Sequence, residues 1–242
     1  MRILYNISDV RNYRQLSNQL NADSFAGHAR STQENNLCEL LGVEMFSEML
    51  QFFDLGFTDY SGTFTRDSTT QFTVTGADVS IWDGYSLKIN DSVFVTVSTA
   101  IFGGVDTILT VEGYDLPTAI STVAFSTEYK YTKLLNGENY TNSNSKSVYF
   151  YGIRGFLSWH FMSAYLSDGN LKQSDVGNIS IVGDLFSGAS GSQLREAKSE
   201  YLQNATREAN KITDYLNEKS DTFDLWSVSD SENIVKFDFV II

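Results

Sequence analysis

The sequence predicts an α+β protein in which a helical domain, built from both ends of the chain, carries an inserted β-rich domain. Apolar residues recur at helical spacing before residue 54 and again after residue 148. Between them the chain is rich in Thr, Ser, Val, Gly and aromatic residues, which is typical of strands and turns. We therefore predict a first helical part at residues 1–55, an inserted β-rich domain at 56–130, and a second helical part with a C-terminal strand at 131–242.

Helical segments dominate the first part. Ser8 and Asp9 are good N-cap and first-turn residues for a short helix over residues 8–20. A second helix is predicted from about Asp23 to Leu41, where Gly42 stops or kinks the chain. A third helix follows, and its stripe of Met, Phe and Leu side chains is typical of core packing: Met45, Phe46, Met49, Leu50 and Phe53.

The β-rich block contains about five or six short strands, enough for a small sandwich or barrel. Residues 72–75 and 79–81 alternate on either side of a Gly-Ala-Asp turn and predict a hairpin. A second hairpin is predicted around Asn90 and Asp91, because apolar residues alternate both before and after this turn. Residues 108–111 form a further candidate strand.

Helical signals return in the second part. The segment from Tyr149 to Leu166 is dense in aromatic residues and predicts a buried central helix. The last long helix begins after Ser190 and continues to Leu216, with a charged face turned to solvent. Residues 235–241 alternate between apolar and charged and predict a half-buried terminal strand.

Composition excludes several classes of function. There are 17 Lys and Arg residues against 30 Asp and Glu, a net charge of -13, which argues against a protein that binds the DNA backbone. Cys38, His28 and His160 are the only Cys and His residues, too few for a four-ligand zinc site. No stretch approaches the roughly 18 apolar residues that span a bilayer, and residues 1–8 lack a signal-peptide pattern. We expect neither a membrane span nor an export signal.

No motif supports catalysis, so we expect no catalytic, cofactor-binding or metal-binding residues. Gly183 and Gly188 have the spacing of a phosphate-binding loop, but Ala189 and Ser190 follow and the lysine is missing. The glycines and serines of residues 188–192 weakly resemble a nucleophile turn without matching Gly-x-Ser-x-Gly, and a linker is the better interpretation. Thirty acidic residues give no basis for choosing a catalytic carboxylate pair.

Five conspicuous side chains also have simpler structural interpretations. Cys38 lies on the apolar side of its predicted helix, where a thiol is usually a small buried hydrophobe. His160 and His28 are more typical of core or interface histidines than of general bases. Trp82 and Tyr85 could present rings to a sugar, although a tight turn with one buried and one half-exposed ring is the better interpretation.

Three segments outside the β-rich block carry a resemblance to a known family. The first is Phe25 to Gly42, continuing to Leu50, with a helix that ends in Leu-Gly before the next helix begins. The second comprises residues 134–140 and the aromatic helix from Tyr151 to Leu166, and the third is the charged helix over residues 194–216. Together they are similar to head-tail connector and neck ring proteins of tailed phages, especially crAss-like phages of gut Bacteroidetes.

The resemblance implies a connector-type helical bundle with the small β-sandwich or barrel inserted into it. It implies a structural virion protein and not an enzyme, assembled as a homo-oligomeric ring of about twelve copies at the head-tail junction. Its partners would be the portal protein and other neck or tail ring proteins, with no membrane involved and synthesis in the host bacterial cytoplasm. DNA would pass through the channel without sequence-specific binding, which suits an acidic chain because like charges repel.

A different class of function remains open as an alternative. The chain could be a binding module of a tail appendage, in which the β-rich domain binds a carbohydrate or a receptor. Exposed Trp82 and Tyr85 rings on a concave face would favour this alternative. An enzyme with dispersed carboxylates is a third possibility, which a convergent acid pair in a cleft would favour.

Overall fold

The computed structural model describes residues 2–13, 22–168, 171–174, 177–180 and 191–226. Within these ranges the helices are α1 (Ile7–Tyr13), α2 (Ala22–Thr32), α3 (Cys38–Leu41), α4 (Val43–Leu55), α5 (Lys130–Asn136), α6 (Gly152–Asp168) and α7 (Gly191–Glu218). The strands are β1 (Thr58–Tyr60), β2 (Thr63–Arg66), β3 (Gln71–Thr75), β4 (Ser86–Ile89), β5 (Val93–Phe102), β6 (Thr107–Glu112), β7 (Val123–Ser126), β8 (Glu138–Thr141), β9 (Ser147–Phe150), β10 (Leu171–Ser174) and β11 (Gly177–Ser180). A π-helical turn (Gln33–Leu37) joins α2 to α3, and a 3-10 turn (Ser80–Trp82) precedes β4.

The β-rich block forms one antiparallel sheet of seven strands, in the order β1-β7-β4-β5-β6-β3-β2. The rings of Tyr60 in β1 and Phe64 in β2 lie 6.2 Å apart, so the two edge strands approach each other and the sheet curls. Its concave side encloses a core of its own, which includes Phe72, Val74, Trp82, Leu87, Ile89, Val95, Leu109 and Val111. The curling lets a single sheet bury apolar side chains on one face without a second sheet.

This sheet corrects the expected architecture. The chain is mixed α+β, but the connector-type helical bundle is wrong, because a seven-stranded antiparallel sheet is the largest unit of secondary structure in the described residues. In place of a small β-sandwich or barrel of five or six strands there is one curled sheet. The resemblance on which the bundle rested concerned helical packing motifs, and these carry no information about how strands pair.

One predicted hairpin is confirmed and the other is wrong. Strands β4 and β5 pair on either side of the three-residue connection 90–92, in which Asn90 and Asp91 have the positive φ angles, 49° and 57°, of a tight turn. The hairpin predicted from residues 72–75 and 79–81 does not form, because β3 pairs with β2 and β6 instead. Residues 80–82 form the 3-10 turn, and Ile81 is exposed.

The helices pack around a second core. Helix α6 is central, as predicted, and contacts α1, α2, α5 and α7. The α4 stripe is also confirmed as core, since Met45, Phe46, Met49 and Phe53 are buried. The sheet contributes Phe94 of β5, whose ring centroid lies 4.6 Å from that of Phe53. The two cores therefore meet along β5.

The N-terminal segment is attached to the helices by one buried amide. Gln33, in the π-helical turn, is fully buried, and its Oε1 accepts from the Leu4 N–H at 2.8 Å. Its Nε2 donates to the Arg2 carbonyl at 2.9 Å. The predicted helix from Asp23 to Leu41 is thus confirmed with a π-helical interruption, and Gly42, with φ of 77°, separates it from α4.

Helix α1 begins two residues earlier than a Ser8 cap requires. Asn6 caps it, because its Oδ1 accepts from the N–H groups of Ser8 (2.7 Å) and Asp9 (3.1 Å). Asp9 completes a capping box by accepting the Asn6 N–H at 2.7 Å. The predicted C-terminal strand at 235–241 and the loop with Gly183 and Gly188 lie outside the described residues. Among the described helices, none has the length and apolar character needed to cross a membrane.

Candidate functional site

A buried ion pair lies at the junction between the helices and the sheet. Nη1 of Arg154, in the first turn of α6, lies 3.1 Å from Asp9 Oδ1 and 3.0 Å from Oδ2. Asp9 is 2% exposed and Arg154 is 5% exposed. The Arg154 guanidinium also lies over the ring of Tyr114, 4.3 Å from its centroid. One arginine therefore holds α1, α6 and the loop after β6 together.

Local features of the chain position each member of this junction. The capping box orients the Asp9 carboxylate, because one of its oxygens binds the Asn6 backbone. Tyr114 follows Gly113, whose φ of 98° turns the chain sharply at the end of β6. The Tyr114 hydroxyl accepts from Asn6 Nδ2 at 3.3 Å. Burial, followed by the charge of Asp9, raises the pKa of the Tyr114 phenol, so it stays neutral at physiological pH.

A polar cleft of about 710 Å³ opens beside this junction, between α1, the end of β6, α5 and β8. The described residues that line it include no aliphatic side chain and no Phe. The residues are Ser8, Asn12, Thr70, Thr96, Glu112, Gly113, Tyr114, Asp115, Thr132, Lys133, Asn136, Gly137, Glu138, Asn139 and Tyr149. Most pockets that bind small molecules are largely apolar, so this lining indicates a polar ligand or a polar partner.

Two buried polar side chains of α5 lie in this lining. Asn136 Nδ2 donates to the Phe94 carbonyl at 2.7 Å, which leaves its Oδ1 without a hydrogen-bond partner among the described residues. Thr132 Oγ1, on a fully buried residue, also lacks a partner there. Gly113 must stay small, since a Cβ at this position would come within 2.7 Å of Asn136 Nδ2.

Some charged side chains of the cleft form ion pairs and others do not. Lys133 Nζ lies 3.0 Å from Glu138 Oε2, and the Tyr215 hydroxyl donates to Glu138 Oε1 at 2.7 Å. Burial, and after it the Glu138 carboxylate, raises the pKa of Tyr215 well above its usual range. Glu112 and Asp115 are exposed at the rim and have no ion-pair partner in the described part of the chain. The cleft therefore has negative charge that nothing within it balances.

A second surface feature is an apolar hairpin tip, formed by Ile101, Phe102, Val105 and Ile108 at the end of the β5–β6 hairpin. Ile101 and Val105 are 62% and 68% exposed, and Ile101 is paired directly with Ile108 across the strands. Strand β5 is buried up to Val97, where the ladder is irregular, and becomes exposed beyond that point. The tip thus extends past the sheet core with its apolar side chains uncovered.

The residues singled out in the sequence do not form a reactive site. Trp82 is 2% exposed and stacks on Phe125 at 5.2 Å, so it cannot serve as an exposed sugar platform. Cys38 is half-buried. His160 packs against Phe156, and burial lowers its pKa to about 4, so its ring is neutral at physiological pH. The His28 ring packs edge-on against the rings of Phe161 and Tyr165 in α6. No group of three or more His, Cys, Asp or Glu residues that could hold a metal occurs in the described ranges.

Sequence patterns did not reveal the junction or the cleft. Asp9 fits a helix start, and Arg154 lies inside an aromatic helix, with 145 positions between them in the chain. Glu112 and Asp115 look like ordinary acidic residues of a turn. The one available signal was a charged residue within the apolar segment around α6, since an arginine that is buried needs a partner.

Comparison with known proteins gives one similarity. Residues 115–234, just under half of the chain, match the model of a family of unknown function (DUF6712). The matched region begins in the loop after β6 and includes α5, α6, α7 and the β8–β9 hairpin, so it lies mostly outside the seven-stranded sheet. Neither a curated protein nor a solved structure matches the chain.

Proposed function

We propose that this chain is a structural, non-enzymatic protein of a phage virion, which forms a homo-oligomeric ring at the head-tail junction. The ring lies below the portal protein, contacts other neck or tail ring proteins and leaves a channel for DNA. The observation that carries this proposal is the apolar hairpin tip, because exposed apolar side chains grouped at one site mark surfaces that become covered in an assembly.

The geometry of the tip suits a contact between neighbouring copies. A ring uses two different faces of each copy, and a projecting hairpin can reach a neighbour without distorting the sheet core. The paired side chains of Ile101 and Ile108 make a compact apolar anchor. Separate exposed apolar residues at both ends of α4, Val43 and Leu55, are additional candidates for the opposite face.

The charge of the chain supports a channel through which DNA passes. A net charge of -13 repels the phosphate backbone, so DNA in the lumen would not be retained by a basic surface. This part of the proposal predicts that neutralising acids that face the lumen slows DNA ejection. Unchanged ejection would contradict it.

The alternative, a tail appendage module with a carbohydrate- or receptor-binding β domain, loses the feature that favoured it. Buried Trp82 and half-buried Tyr85 cannot form an exposed aromatic platform on a concave face. This turn has one buried ring, Trp82, and one half-exposed ring, Tyr85. We therefore retain the ring as the proposed function, on the basis of its surfaces and not of a helical-bundle fold.

Native mass spectrometry and negative-stain imaging of the purified protein and of virions test the proposal. A closed ring of about twelve copies, or localisation at the head-tail junction, would support it. The double variant Ile101→Ser with Val105→Ser is expected to lower the ring population, whereas Ile81→Ser, at an equally exposed site outside the tip, is the matched control. A stable trimer bound to tail fibres would contradict the proposal.

A further inference from the structure

We propose that the polar cleft beside the Asp9 and Arg154 junction binds an arginine side chain of a partner protein. The site consists of Glu112 and Asp115 at the rim, Thr132 and Asn136 in the lining, and Tyr149 on the wall. This assignment does not depend on ring formation, because it concerns the chemistry of one cleft within one copy.

The first argument is charge complementarity. Glu112 and Asp115 flank the turn at Gly113 and Tyr114, and neither has an ion-pair partner in the described part of the chain. Among the described residues of the lining Lys133 is the only cation, and Glu138 neutralises it at 3.0 Å. The lining therefore has an excess of two carboxylates. A cationic ligand would be attracted here, and an anionic one would be repelled.

The second argument is independent of the acidic residues. Asn136 Oδ1 is an acceptor only and is buried without a partner among the described residues, whereas the amide nitrogen of the same side chain donates to the Phe94 carbonyl. Thr132 Oγ1, nearby on α5, is also unpartnered, and both residues are more than nine-tenths buried. Both oxygens have almost no accessible surface, so a donor from the cleft reaches them only if neighbouring side chains shift, and the bond then recovers the free energy that an unsatisfied buried polar atom costs.

The third argument selects arginine among cationic side chains. A guanidinium presents five donors and no acceptor, which suits a lining of carboxylate and amide oxygens. Its flat face can also stack on an aromatic ring, and the Tyr149 ring is 46% exposed in the cleft wall. The junction already contains such a contact, since Arg154 lies over Tyr114. A lysine ammonium would also balance the negative charge, but it has no planar group that could stack on the Tyr149 ring.

The experiment compares two peptides that differ only in charge. Acetyl-Gly-Arg-Gly-amide and its citrulline counterpart, which has the same shape without the positive charge, are titrated into isotopically labelled full-length protein. The readout is the amide signals of Gly113 and Gly137 and the side-chain amide of Asn136, all of which line the cleft. Saturable shifts of these signals with the arginine peptide, and none with the citrulline peptide, are expected.

Variants separate the cleft from general attraction to an acidic protein. Glu112→Gln with Asp115→Asn is expected to weaken binding about tenfold, because two charge-assisted hydrogen bonds are lost. Glu34→Gln with Glu39→Gln, on exposed helical positions, removes the same charge and should leave binding unchanged. Equal weakening by both pairs, equal binding of the citrulline peptide, or absence of saturable cleft shifts would each overturn the proposal. A neutral saccharide that shifts the same signals with equal affinity in the Glu112→Gln, Asp115→Asn variant would also overturn it.

Discussion

Asp9 and Arg154 are separated by 145 positions in the chain and meet in a buried pair with two contacts of 3.0 to 3.1 Å. The arginine Nε atom has no hydrogen-bond partner among the described residues, so the pair carries part of its desolvation cost uncompensated. We expect this buried pair to specify how α1 docks on α6 more than to add net stability. Several measurable consequences follow from this and from other close contacts in the fold.

Removing one member of the Asp9 and Arg154 pair should be strongly destabilising. Arg154→Met leaves the Asp9 carboxylate buried without its counter-charge, and we expect a loss of about 3 to 5 kcal/mol in the free energy of unfolding. Chemical denaturation measures this value. Asp54→Ala, which breaks an exposed pair with Arg2, is the control and should cost at most about 1 kcal/mol. Similar small effects of both variants would contradict a structural role for the buried pair.

Stability should fall in mildly acidic solution because of His160. Burial lowers its pKa to about 4 in the folded protein, whereas an unfolded chain binds the proton near the ordinary histidine pKa of about 6.5. Unfolding therefore becomes easier as pH falls from about 6.5 to 4, and the full contribution is present above that range. The difference corresponds to about 3 kcal/mol.

The variant His160→Gln isolates this contribution from that of the carboxylates. Urea unfolding of both proteins across this pH range should give curves that diverge as pH falls, with the variant losing less stability. Parallel curves would show that His160 does not stay neutral in the folded state.

Gly152 should not tolerate a side chain. It has a φ of 67°, and a Cβ there would collide with the Gly137 nitrogen and the Leu135 carbonyl, where the chain enters α6 beside the end of α5. We expect Gly152→Ala to cost more than about 1 kcal/mol in thermal or chemical unfolding. Gly27, in α2, has open space around it, so Gly27→Ala should instead stabilise by about 0.5 to 1 kcal/mol. If Gly152→Ala left the free energy of unfolding unchanged, the start of α6 would lie further from the end of α5 than the structure shows.

The hydrogen bonds of the Asn90 side chain should contribute more to the stability of the fold than the turn conformation of its backbone does. Its Oδ1 accepts from the N–H groups of Ser121 (2.8 Å) and Thr122 (3.2 Å), and its Nδ2 donates to the Ala119 carbonyl at 2.6 Å. Asn90→Gly keeps the positive φ angle and removes these bonds, with an expected cost of about 1 to 3 kcal/mol. Asp91→Gly, at the other turn position, removes only an exposed ion pair with Lys88 at 3.3 Å and should cost at most about 1 kcal/mol. If Asn90→Gly and Asp91→Gly lowered the melting temperature equally, the loss of stability would come from the turn and not from the Asn90 hydrogen bonds.

The predictability of the fold differed between its two halves. Helical spacing correctly predicted the central position of α6, the buried stripe of α4 and the break at Gly42, because amphipathic periodicity directly reflects which face is buried. The hairpin around Asn90 was also predicted correctly, from its turn residues. The hairpin expected from residues 72–75 and 79–81 failed, since alternation identifies strands but not the strand with which each one pairs.

The candidate site was much less accessible to sequence reasoning. Glu112 and Asp115 enter the cleft through a turn at Gly113, while Thr132, Asn136 and Tyr149 arrive from other elements. No spacing pattern connects these residues, because their proximity depends on how α5 and the β8–β9 hairpin pack beside β6. Trp82 is the opposite case, because the preferred interpretation of a turn with one buried ring is confirmed: Trp82 packs against Phe125 and Tyr60.

The amino-acid sequence by itself determined the helix and strand content of most segments and the acidic charge, since these follow from composition and local periodicity. The tertiary structure alone decided the seven-stranded order of the sheet, the pairing of Asp9 with Arg154, and the polar cleft. These features depend on contacts between residues distant in the chain, where the free energy comes from burial and charge pairing in the assembled fold and not from local conformational preference.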